Sequence, residues 1–202
     1  MNSELSQPSD ISFRKAVIHV SDLPSLELYI DQVITLIDQG YATNKRTTEE
    51  KPLTKMMINN YSKAGLVRPI KGKKYAKEHI VQMLIIYALK GTLSIGEIKD
   101  VLDGLYAQPG FESAALFESY ENALDKQGGC LASLEELLSS SKLLDAPDVP
   151  DRFASLMAVC AMSEALSQLA ERMVTQYFSS PEKIKPETPK NKKGPHKIKP
   201  NQ

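Results

Sequence analysis

LTKMMINNYSKAGLVRP, residues 53–69, carries the punctuation of one short helix from end to end. Thr54 suits the N-cap, where its hydroxyl accepts from a backbone N–H of the first turn. Leu53 ahead of the cap and Ile58 at the fourth helical position make a hydrophobic staple. Gly65 is the left-handed stop, and Leu66 just beyond it reaches back to Tyr61. A helix from about Lys55 to Ala64 is predicted. Its spacing gives it two faces: Ile58, Tyr61 and Met57 inward, and Lys55, Met56, Asn59, Asn60 and Lys63 outward.

Working outward, IKGKKY (residues 70–75) follows Pro69 and centres on Gly72, which predicts a tight β-hairpin. Lys77–Lys90 is apolar on most sides and predicts the buried spine of the domain, ended by Gly91. Ser94 and Glu97 form a capping box, stapled by Leu93 and Ile98. They open a helix to about Leu105, with Ile98, Val101, Leu102 and Leu105 inward. Upstream, a helix is predicted from near Pro24 to Gly40, with Leu26, Ile30, Val33, Ile34 and Ile37 inward. A polar connection over residues 41–52 follows it.

Beyond Pro109-Gly110, Phe111–Gln127 predicts a helix closed by Gly128-Gly129. Ser133 and Glu136 form a second capping box, opening a short helix with Leu137 and Leu138, which Asp145–Pro150 breaks. Arg152–Phe178 is the longest predicted helix. Val159, Met162, Leu166, Leu169 and Met173 recur in it at alternating spacings of three and four, a seam of about two heptads. Both a helix docked on its own domain and a dimerisation helix fit that seam. Residues 1–10 are polar, and residues 179–202 hold five prolines, seven lysines and no aromatic, so both ends are predicted disordered. The chain divides into an N-terminal segment (1–22), a compact domain (23–106), a helical region (107–178) and a basic tail (179–202). Its class is mainly α.

The 202 residues hold 25 Lys+Arg and 25 Asp+Glu, a net charge of zero. The sum hides a strong polarity: net −4 over residues 1–44, +8 over 45–90, −8 over 91–160 and +4 over 161–202. A basic nucleic-acid-facing module joined to an acidic module fits this pattern, as does a dipolar surface. Two cysteines and no tryptophan argue against a disulfide framework and for a reducing cytoplasm. The longest apolar runs, Met83–Leu89 and Leu156–Met162, are seven residues each, against roughly 20 for a membrane span. The expectation is a cytoplasmic protein off the membrane. His19, His79 and His196 share no metal-ligand spacing with Cys130 or Cys160, and both cysteines read as core or incidental. No phosphate-cradling glycine loop, nucleophile elbow or HExxH is present. Neither an enzyme nor a cofactor is expected.

Taken together, LTKMMINNYSKAGLVRP, KKYAKEHI and LSIGEIKDVL resemble the MerR-type DNA-binding domain. The stretch is more closely similar to a bacterial family of uncharacterised MerR-like proteins built around an LTK-x-MINNY-x-K core. LELYIDQV (Leu26–Val33) matches the helix that precedes that core. The resemblance covers about residues 24–105 and implies a winged helix-turn-helix with a small β-hairpin wing, and double-stranded DNA as partner. Tyr61 holds the position of the family's phosphate-contacting Tyr. Asn59 stands where the family carries an Arg, and residues 41–52 replace its usual tight turn.

A transcriptional regulator is therefore expected. Lys55, Met56, Asn59 and Asn60 would read bases, with Tyr61 and Lys63 beside them. Arg68, Lys71, Lys73 and Lys74 would anchor phosphates. The helical region would form a homodimer or take an effector. The rival is a protein-interaction module that keeps the scaffold without binding DNA.

Overall fold

The computed structural model describes residues 13, 16–45, 47, 49, 51–141, 143 and 145–179. The predicted disorder of residues 1–10 and of the tail beyond Ser179 lies outside them. Six helices and one two-stranded sheet follow in chain order: β1 (Leu28–Tyr29), α1 (Ile30–Gly40), α2 (Lys55–Lys63), β2 (Lys74–Tyr75), α3 (Lys77–Leu89), α4 (Ile95–Tyr106), α5 (Ser113–Ser140) and α6 (Val149–Tyr177).

The local punctuation around α2 forms as its residues dictate. Thr54 Oγ1 accepts from Met57 N–H at 3.2 Å. At the other end, Leu66 N–H bonds Tyr61 C=O and Gly65 N–H bonds Ser62 C=O, with Gly65 at φ 72°. That is the two-bond left-handed cap, which satisfies carbonyls the helix leaves unpaired. The box at α4 closes too: Ser94 N–H donates to Glu97 Oε2 and Glu97 N–H to Ser94 Oγ.

α3 is the spine. Ile80, Val81, Met83, Leu84 and Ile86 are fully buried, and Ile58, Val33, Ile98 and Leu116 join them in one hydrophobic cluster. Tyr120 and Val174 belong to the same cluster, because α5 packs on α3 and α6 on α4. The helical region therefore shares the core of the compact domain. A strap of chain before β1 ties the two together. Ile18 lies so close to Gly40 that an added Cβ there would sit 2.5 Å from Ile18 Cδ1. Tyr120 Oη donates to Ile18 C=O, and Val20 N–H donates to Glu121.

Three expectations are corrected. The first helix starts at Ile30 rather than near Pro24, and Leu26 is 76% exposed instead of facing inward. Residues 28–29 are extended because they pair with β2. The pairing is antiparallel, with Leu28 opposite Tyr75 and Tyr29 opposite Lys74. β2 thus finds a partner some 45 residues upstream, so IKGKKY is a turn into one strand and not a closed hairpin. Gly72 still takes φ 72° in that turn. Finally, α5 runs unbroken through Gly128-Gly129, and Ser133 Oγ donates to Gly129 C=O inside the helix instead of capping a new one.

Cys130 and Cys160 are both exposed, which removes the core reading of either. Among the described residues α6 is long and apolar enough, by length and composition alone, to cross a membrane.

Candidate nucleic-acid interface

From Lys51 to Lys77 the chain carries eight basic residues and no acidic one. The fold decides which of those charges stay available. Ile58 and Tyr61, the inner face of α2, are 0% and 6% exposed. Their burial turns Lys55, Met56, Asn59, Asn60 and Lys63 to solvent. Met56 is 74% exposed. Tyr61 does not join that face. Burial raises its hydroxyl pKa, and it serves packing under the Gly65 turn. Tyr75 at the foot of the basic turn is buried likewise.

Lys71, Lys73 and Lys74 are exposed. Among the described residues no carboxylate pairs with them or with Lys63. Two contacts bring the basic turn and α2 toward one corner. Lys55 Nζ lies 4.0 Å from Asp31 in the first turn of α1. Lys74 Nζ lies 5.3 Å above the ring of Tyr29, two residues before Asp31 in the chain. The start of α1 is therefore flanked by α2 on one side and β2 on the other. Tyr29 is half exposed there; the LELYIDQV motif contains it, but as part of a helix and not as a member of the site. Only its pairing with Lys74, which no local pattern signals, places it at this corner.

Arg68 is placed otherwise than a free phosphate anchor would be. Its guanidinium carbon stacks 3.7 Å from the centroid of the Tyr106 ring, and Nη1 lies 3.4 Å from Glu78 Oε1. Around it runs a closed polar network. Arg68 N–H donates to Gln82 Oε1 at 3.0 Å, and Gln82 Nε2 donates to Tyr106 Oη at 2.7 Å. Tyr106 Oη donates to Glu78 Oε1, and Ser113 Oγ donates to Glu78 Oε2 at 2.6 Å. Burial pushes the Tyr106 phenol up to about 12, so it keeps the proton it donates. The network fixes the chain between α2 and β2 onto α3, α4 and the start of α5. It holds Arg68 partly committed, with a side chain 48% exposed.

Of the other basic residues, Lys77 donates to Val20 C=O in the strap. His79 Nδ1 accepts from Ala76 N–H at the start of α3. Among the described residues no group of three His, Cys, Asp or Glu is arranged to hold a metal ion.

No curated protein and no solved structure matches the chain. Residues 18–123, from the strap into α5, match the domain of unknown function DUF1836, which is over half of the chain, and the chain belongs to that family.

Proposed function

We propose that the chain is a transcriptional regulator whose MerR-like winged helix binds double-stranded DNA. In this reading α2 enters the major groove, and Asn59, Asn60, Lys55 and Met56 meet base edges while Lys63 meets phosphate. The β1–β2 ribbon and the turn before β2 act as the wing, with Lys71, Lys73 and Lys74 against the neighbouring backbone. The observation that carries the reading is the outward face of α2. It is a short helix capped at both ends, with amides and ammonium groups in solvent and no acidic residue within it. The tight caps matter because a groove-reading helix has to present its side chains in fixed register. The acidic stretch over residues 91–160 damps non-specific attraction, so affinity rests on the site itself.

The test is anisotropy titration of duplexes selected from genomic fragments, against random duplex, over a salt series. The expected result is preference for a selected site. Combined Lys71→Ala, Lys73→Ala and Lys74→Ala should weaken binding to every duplex. The same variant should flatten the log–log salt slope by about 0.9 for each phosphate it no longer neutralises. Equal affinity for selected and random DNA at moderate salt overturns the reading.

A second reading, a protein-interaction module, draws on the same corner. Met56 and Tyr29 are each more than half exposed there, and Arg68 is already engaged by Tyr106 and Glu78. It predicts that the triple lysine variant leaves DNA affinity unchanged.

A further inference from the structure

A groove runs between the strap and β1 on one side and α1 on the other, apart from the interface described above. Its volume is about 720 Å³, within the roughly 300–1,000 Å³ of small-ligand sites. Val17, Leu28 and Leu36 give it apolar walls, while Asp22, Asp31 and Gln39 stand exposed along it. Among the described residues no Lys, Arg or His lines it. Asp22 accepts the His19 N–H on one carboxylate oxygen. Asp31 has Lys55 Nζ as a loose neighbour at 4.0 Å, with side chains 80 and 62% exposed. The surrounding chain shares the sign, since residues 16–44 hold four carboxylates and no Lys or Arg.

The tail has the opposite character. It repeats Lys-Ile-Lys-Pro at residues 183–186 and 197–200. Ile184 and Ile198 are the two large apolar side chains beyond Ser179, and each stands between two lysines. Proline favours an extended backbone at the lysine before it. An extended Lys-Ile-Lys turns Ile to one side, and the flexible four-carbon stem of each lysine lets its ammonium bend back toward a carboxylate.

We propose that residues 197–200 of the chain's own tail dock in this groove. Ile198 packs against Leu28 and Leu36, and Lys197 and Lys199 meet Asp22 and Asp31. Apolar walls edged by carboxylates complement an isoleucine flanked by ammonium groups.

Reach selects the second repeat. Ser179 lies at α4, its Oγ 3.5 Å from Asp100. α4 packs on α6, whereas α1 packs on α2, β1 and β2. From Ser179 the extended chain spans about 17 Å to Ile184 and about 65 Å to Ile198, at about 3.4 Å per residue. A compact body of about 125 residues has a radius of gyration of about 14 Å. The second repeat therefore reaches every face, while the first stays near α4. The tether also makes a weak contact sufficient, because it holds the repeat at an effective concentration on the order of millimolar. The docking stands whether or not the molecule binds DNA.

The experiment attaches a nitroxide at Asn201→Cys in the full chain, with the exposed Cys130 and Cys160 replaced by serine, and reads amide peak intensities by NMR. A millimolar contact at that effective concentration fills the groove about half of the time, so the Leu28, Leu36 and Gln39 amides should lose about half of their intensity or more. Met157 on α6 should keep its own. Ile198→Asp should restore the groove signals, and so should Asp31→Lys with Gln39→Lys; Ile184→Asp should not. Asp31 and Gln39 are exposed, so the circular dichroism spectrum should not change. Loss spread evenly over the molecule, loss that survives either the Ile198 or the groove variant, or loss removed by Ile184→Asp overturns the proposal. So does equal loss in isotope-labelled chains without nitroxide that are mixed with unlabelled nitroxide-bearing ones, which would assign the groove to the tail of another molecule.

Discussion

Gln82 is the one fully buried polar side chain among the described residues, and its two partners explain why the core tolerates it. A buried amide without partners costs more than its packing returns, whereas a satisfied one orients what it touches. Here it receives the backbone N–H of Arg68 and donates to Tyr106, holding the segment between α2 and β2 against α3. Gln82→Leu keeps the volume and removes both bonds. It leaves the Arg68 N–H without its acceptor, so a loss of about 1–3 kcal/mol is expected in urea unfolding. If Gln82 merely filled space, the substitution would be neutral or stabilising. The apolar pattern of Lys77–Lys90 reads as a buried spine but does not disclose this residue's task. A polar letter in an apolar helix does not announce its partners, and Tyr106 lies 24 residues downstream.

Among the elements, those that close locally are the legible ones. The caps of α2 and the box of α4 depend on residues a few positions apart, and they form as their spacing says. The sheet escapes such a reading because its two strands are far apart in sequence and two residues long each, too short for any alternating pattern. The outward face of α2 follows from the helix period, while the corner it shares with Tyr29 follows only from that distant pairing. The unbroken run of α5 departs from expectation for a different reason. Two adjacent glycines are a strong stop signal, but each costs a helix only about 1 kcal/mol against alanine. Packing of Leu116 and Tyr120 in the core on one side of the pair outweighs that sum. A continuous helix and a helix stop predict opposite signs. In a continuous helix Gly128 and Gly129 both lie outside the positive-φ region, and an added Cβ meets nothing within 4 Å. Gly128→Ala and Gly129→Ala should therefore each stabilise by about 0.5–1 kcal/mol in thermal or urea unfolding. A left-handed stop at either glycine would make alanine destabilising there.

Over the whole molecule, the strap ahead of β1 decides whether the half that carries α2 and the basic turn behaves as one body with α5. The family match begins at Ile18 and ends just past Glu121, the two ends of this clasp. His19 Nδ1 lies 2.8 Å from Glu121 Oε2, while the other carboxylate oxygen takes the Val20 N–H. Asp22 and Asp125 also face the imidazole, and Lys77 caps the Val20 carbonyl from α3. The hydrogen bond to Glu121 raises the His19 pKa above 6.5, and the same bond lowers the Glu121 pKa below 4.5. The signs then fix the window. A raised histidine contributes fully below 6.5 and loses its contribution as pH climbs through its folded value. A lowered carboxylate contributes fully above 4.5 and fades as pH falls through its own. The strap is therefore held best between those two reference values, with the clasp weakening on the alkaline side first as conditions move through neutrality. His19→Gln should lower the Tm at pH 5.5, and the gap between variant and wild type should narrow by pH 8.5. Because His19 is half exposed, the gap is expected to be small and to shrink further in high salt. A gap that is the same at both pH values would mean that the backbone bonds of Ile18 and Val20 hold the strap without help from the ion pair.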